Sequence, residues 1–136
     1  MEASNLSHFL LAEDPEHYLN ILRHCKNNQI DVKKQINSQQ YETWYSNHLF
    51  CLSYLVGDLV KDDFDSEFYG KQFSISNHLG IEILNNLISL GVDVHSKNYY
   101  DQTVFDCIME KNVLTSRKNN EEFKEALLNI RRCPSP

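Results

Sequence analysis

The chain predicts an all-α domain, and three observations in its 136 residues carry that prediction. Apolar residues recur at helical spacings of four and three, first through Tyr45, Leu49, Leu52, Val56 and Leu59 and again through Leu79, Ile83, Leu87 and Leu90. Helix punctuation frames these stripes, with Asp14-Pro15-Glu16 suited to open a helix and Gly91 placed to stop one. Only four glycines and three prolines are present, which leaves little material for long flexible linkers.

A short apolar helix is expected over Leu6 to Ala12. Asp14 then supplies an N-cap acceptor, Pro15 a pre-set first turn and Glu16 an acid against the helix dipole. That helix should reach about Cys25, with Tyr18, Leu22 and Cys25 on one stripe, and Lys26-Asn27-Asn28 should end it. Gln29 to Gln40 reads either as an extended arm or as the start of a long helix. Thr43 to Val60 is predicted as a largely buried helix at the centre of the core, because Trp44, Phe50, Cys51 and Leu55 broaden its stripe. The acidic, aromatic Lys61 to Phe73 reads as a surface loop. Ser76 or Asn77 caps the next helix, which runs to Leu90 before a left-handed cap at Gly91. A short extended hairpin follows, and Thr103 opens a helix to about Lys111. Asn119 or Asn120 opens the last helix, with Phe123, Leu127 and Ile130 as its apolar stripe. One domain is expected over 1–133, with 134–136 as a frayed tail.

A formal charge of −6 argues against a nucleic-acid binder, which needs basic residues to displace counterions. It suits a soluble chain, or a partner with a basic face. No apolar run approaches the roughly 20 residues that cross a bilayer, and Met1 to Asn5 lacks the features of a signal peptide. Cys25, Cys51, Cys107 and Cys133 form no C-x-x-C pair and read as reduced thiols of a cytosolic protein. Abundant asparagine and scarce alanine point to an AT-rich genome, such as that of an intracellular bacterium or a large virus. The expected location is therefore the cytoplasm, which is the host cytoplasm if the chain is a secreted effector.

The segment from about Ile81 to Arg132 resembles an ankyrin repeat followed by a C-terminal capping repeat. Gly91, Asp93 and Val94 match the family's Gly-x-Asp-Val after an outer helix, and Thr103 stands ten residues after Asp93, as the cap of the next inner helix does. Thr103-Val104-Phe105-Asp106 resembles the Thr-Pro-Leu-His variant of final repeats, with Asp in place of His. The resemblance implies ankyrin-like stacked helical hairpins behind irregular N-terminal helices, with Phe105 plugging the space between neighbouring units. Asp101 stands where the family prefers glycine; aspartate tolerates the left-handed conformation better than most residues. Ile108 and Met109 replace the family's small alanines. Upstream, Gln29-Ile30-Asp31-Val32 is a faint echo of Gly91-Val92-Asp93-Val94, 62 residues earlier and so near twice the family period of roughly 33. The alternative is a plain helical bundle in which one helix ends in Gly-Val-Asp-Val.

No motif assembles catalytic chemistry. His24 and Cys25 are adjacent on a helix and point about 100° apart, so they do not meet as base and nucleophile. His17 and His24, seven residues apart, are too distant to share a metal. Asp63 to Glu67 begins a calcium-loop rhythm, but Phe68 occupies the position that needs glycine and Ser74 the position that needs glutamate. The expectation is a non-enzymatic chain with no cofactor and no metal. The lead is instead Tyr99-Tyr100 at the hairpin tip, where a short loop does not bury both rings and exposed tyrosines serve as binding anchors. Packing of one ring on Gln39-Gln40-Tyr41 is the structural alternative. In ankyrin-like proteins hairpin tips and inner helices form the contact surface, so the resemblance implies one made of Lys97, Asn98, Tyr99, Tyr100 and Asp101, extended by Gln40, Tyr41 and Trp44. The expected role is an adaptor or inhibitor of a protein partner, with no nucleic acid or membrane involved, as monomer or homodimer. The competing expectation is a self-associating structural bundle that buries its 44–59 helix across a dimer.

Overall fold

A computed structural model describes residues 6–39, 47–56, 75–106 and 121–132, and among these the fold is all-helical with no strand. The helices are α1 (His8–Glu13), α2 (Pro15–Asn27), α3 (Lys33–Ile36), α4 (His48–Leu55), α5 (Asn77–Ser89) and α6 (Glu121–Arg132). A further helical turn occupies 104–106. α5 is the hub, packing on α2, α4 and α6, while α1 packs on α2 and α4.

Local chemistry sets each boundary. The Ser7 hydroxyl accepts from the Leu10 N–H at 2.9 Å and starts α1. Asp14 serves two helices: its N–H donates to the Leu10 carbonyl at the end of α1, and its carboxylate accepts from the His17 N–H at the start of α2. Pro15 follows at the first helical position, where its missing N–H costs nothing. On α2, Tyr18, Leu19, Ile21, Leu22 and Cys25 are buried, matching the expected stripe. The Ser76 hydroxyl caps α5 through the Leu79 N–H, resolving the choice between Ser76 and Asn77. Asn77 instead serves α6: its side-chain oxygen accepts from the Phe123 N–H at 2.9 Å, satisfying an N-terminal donor of that helix. Gly80 lets these parts meet. A Cβ there would lie 2.7 Å from Val56 Cγ2 and 3.2 Å from Phe123 Cδ1.

The continuous helix predicted from Thr43 to Val60 is interrupted at Asn47, which is extended (φ −117°, ψ −171°) and caps α4 (His48–Leu55), and Val56 closes α4; 43–46 and 57–60 lie outside the described residues. The Asn47 side chain outcompetes helix continuation by accepting from the Leu49 and Phe50 N–H groups. Every residue of α4 is buried within the chain, which leaves its described part without an exposed face for a dimer. Between Gln29 and Gln39, neither an arm nor a long helix forms; α3 is a single turn. Trp44, Lys61 to Phe73, Lys111, Asn119 and Asn120 lie outside the described residues, as do Cys107, Ile108, Met109 and Cys133.

The faint internal echo has a structural counterpart. At the end of α5, Gly91 is left-handed (φ 92°), its N–H donates to the Ile88 carbonyl, and the Val92 N–H donates to the Leu87 carbonyl. At the end of α2, Gln29 is left-handed (φ 57°), its N–H donates to the Lys26 carbonyl, and the Ile30 N–H donates to the Cys25 carbonyl. Both ends are Schellman motifs, each with an apolar residue just beyond the left-handed one. In both, the following aspartate accepts from the N–H two residues on: Asp31 from Lys33 at 3.0 Å, Asp93 from His95 at 2.9 Å. The two chain segments turn alike and then diverge, the first into α3 and the second into an exposed loop.

Candidate interaction site

The segment from Gly91 to Thr103 forms a finger held at base, tip and return. It lacks the paired strands that the reading as an extended hairpin implied, and is built of successive turns at 94–95 and 99–100. At the base, Val92 is buried and two asparagines clamp the backbone. The Asn37 amide oxygen accepts from the Asp93 N–H at 2.7 Å, and its nitrogen donates to the Gly91 carbonyl at 3.1 Å. The Asn47 nitrogen donates to the Asp93 carbonyl at 2.9 Å and to the Asn37 oxygen at 3.2 Å. The Lys33 stem packs over Gly91, within 2.7 Å of where a Cβ would stand.

At the tip, Asn98 organises a three-residue turn. Its N–H donates to the Gln102 carbonyl at 2.9 Å, and its own carbonyl accepts from the Asp101 N–H at 3.0 Å. Its side-chain oxygen accepts from the N–H groups of both Tyr100 and Gln102. Asp101 is left-handed (φ 63°), the conformation expected of the residue that closes such a turn. On the return, the Thr103 hydroxyl accepts from the Asp106 N–H while the Asp106 carboxylate accepts from the Thr103 N–H, a reciprocal capping box. Val104 and Phe105 are buried directly behind it, and the Phe105 ring lies 6.0 Å from that of His95.

What the finger presents is aromatic. Tyr99 is 77 % exposed and Tyr100 58 %, their rings edge to face at 5.3 Å. Lys97 and Asp101 stand beside them as an exposed ion pair at 3.5 Å. Asn98, expected as a contact residue, is 7 % exposed and its polar atoms are committed to the turn, so it positions the tip instead. Gln40, Tyr41 and Trp44 lie outside the described residues. Sequence reasoning missed the clamp formed by Asn37 and Asn47. An asparagine immediately before the apolar run of α4 is a legible cap, but starting that helix at Thr43 passed over it.

The chain matches no protein-family profile, no curated protein and no solved structure.

The other candidate features have a different character. An open cleft of about 360 Å³ between α2 and α5 is bordered by charged side chains that pair with one another: Arg23 bonds Glu82, and His78 Nε2 lies 2.9 Å from the same carboxylate. Such a surface lacks the apolar enclosure of a small-molecule site. Cys25 is buried and burial pushes its thiol up, away from the thiolate that reacts. Cys51 is buried with its thiol directed at the His8 carbonyl at 3.8 Å. Among the described residues, no three His, Cys, Asp or Glu side chains converge as metal ligands.

Proposed function

We propose that this chain is a non-enzymatic protein-interaction module, an adaptor or inhibitor that engages a protein partner through the finger tip at Lys97, Tyr99, Tyr100 and Asp101. The observation that carries the reading is the exposure of two adjacent tyrosines on a backbone fixed at both ends. Ordering a loop on binding costs conformational entropy, and here the turn is already ordered by Asn98 and by the clamp at Asp93. Large exposed rings on a rigid support make efficient anchors. The twin Schellman turns and the Thr103 capping box support an ankyrin-like reading of the scaffold, in which tips of this kind face the partner. The composition supports a cytoplasmic role, as an effector of an intracellular bacterium or a regulator of one. Burial of all of α4 weighs against self-association through that helix.

The test is capture from the native host. Replacing both Tyr99 and Tyr100 with alanine is expected to abolish retention of the partner and to leave the melting temperature within about 2 °C, because exposed side chains add little to stability. Undiminished capture by that variant rejects the tip as the contact surface.

A further inference from the structure

The groups around the finger tip favour one kind of contact. Tyr99 meets the Tyr100 ring edge to face, and at 77 % exposure at least one face of Tyr99 is open. An aromatic face is negative and attracts a cation placed over it. Two residues on, Asp101 is held left-handed by the turn, its N–H bonded to the Asn98 carbonyl and its carboxylate exposed. The Cα atoms of residues two apart are at most about 7.6 Å from each other, within the span of one long side chain. We propose that the tip receives an arginine side chain from the protein partner, its guanidinium stacking on Tyr99 and forking onto the Asp101 carboxylate. The assignment rests on the tip being the contact surface proposed above, and adds what that surface selects.

The charge of the finger suits a cation. Between Gly91 and Asp106 the exposed charged side chains are Asp93, Asp101 and Asp106 against Lys97, with an exposed imidazole at His95. Lys33 reaches only the base, where its stem covers Gly91. Asp93 and Asp106 each accept a backbone N–H, which leaves their negative charge in place. The whole chain carries −6, so its field draws cations inward.

The Lys97–Asp101 pair does not close the site. Both side chains are exposed and 3.5 Å apart, and such pairs contribute little, so an incoming guanidinium exchanges for Lys97 readily. Arginine suits the place better than lysine does. Its planar fork matches a carboxylate, stacks on a ring and sheds water easily, whereas an ammonium is a compact, strongly hydrated point charge.

Titration of the full chain with N-acetyl-arginine methylamide, followed by NMR shifts, tests the assignment, with the lysine and glutamate analogues as controls. Saturable shifts are expected at residues 97–101 with millimolar affinity, weaker for lysine and absent for glutamate. Tyr99→Leu should weaken arginine binding about two- to fivefold, the range an exposed cation–π contact supplies. Asp101→Asn removes the charge but keeps a residue that tolerates the left-handed backbone, and should weaken binding by a similar factor. Lys97→Gln removes the competitor for Asp101 and should tighten binding, an effect that misfolding does not mimic. The proposal is overturned by absence of saturable shifts at the tip, by equal affinity for the lysine or glutamate analogue, or by unchanged affinity in Tyr99→Leu or Asp101→Asn. Binding that fails to tighten in Lys97→Gln overturns it too. Capture from the native host separates the two readings. Loss of the partner by the double tyrosine variant, together with full capture by Asp101→Asn, overturns the arginine assignment and leaves the tip as the contact surface.

Discussion

Asn47 satisfies four hydrogen bonds with one buried amide: its oxygen caps α4 through two backbone N–H groups, and its nitrogen reaches Asp93 and Asn37. Truncation to alanine removes a cap and leaves a buried carbonyl unpaired, a combined cost of about 2–4 kcal/mol, which urea denaturation would read directly. Asn37→Ala removes the side chain of the α3 C-cap residue and strands the Asp93 N–H together with the Gly91 and Lys33 carbonyls at a partly exposed site, and should cost about 1–2 kcal/mol. Gly91 is constrained twice, by φ 92° and by the Lys33 stem. Gly91→Ala is expected to destabilise by at least about 1–2 kcal/mol. Adding Lys33→Ala should recover the steric part and leave the backbone part, a separation that a double-mutant cycle measures. These residues show where sequence reading reaches its limit. Gly91 and Asp101 announce their conformations locally, because few residue types tolerate a left-handed backbone. The clamp is silent in the sequence, because Asn37 and Asp93 are 56 residues apart and nothing local records their meeting.

Helix boundaries were legible wherever one capping residue stood alone. Asp14 and Gly91 open and end their helices as their chemistry dictates, whereas Ser76 competed with Asn77 and is identified by its bond from the Leu79 N–H. Starting a helix at Thr43 passed over Asn47, a second good cap ahead of the same apolar run, whose side chain also bonds the Asp93 carbonyl. For α3 the pattern was too short to choose a period, and the structure grants it one turn. Thr103 is the clean case: it was expected to open a helix, and its hydroxyl and the Asp106 carboxylate three residues on exchange bonds with each other's N–H. Thr103→Ala should cost about 1 kcal/mol in chemical denaturation. Between elements, Gly80 sets how closely α5 approaches Val56 and α6. Gly80→Val should overpack this junction by about 1–3 kcal/mol and lower the melting temperature in calorimetry.

For the whole molecule, the buried, hydrogen-bonded Tyr18–His48 pair contributes a pH dependence to stability. Burial, reinforced by His8, depresses the His48 pKa in the folded state, so the unfolded chain takes up a proton that the folded chain refuses. Stability from this group is full above about pH 6.5 and falls by about 1.4 kcal/mol per unit as pH drops below that value, until the folded pKa is passed. Burial, then Cys51, raises the Tyr18 pKa, so the phenol contributes below about pH 10 and loses that contribution as pH rises further. Denaturation midpoints across pH should therefore show a plateau between about 6.5 and 10 with a loss on each side; a flat acid limb would contradict the burial of neutral His48. The clamp beneath the finger carries a different consequence. Asn37, Asn47 and Lys33 grip backbone and a glycine at the base, and none of the three bonds the side chain of Tyr99 or Tyr100. In the proposed role, specificity would drift by rewriting a codon at the summit while the pedestal stays intact, so a library randomised at Tyr99 should retain folded members across most of its diversity.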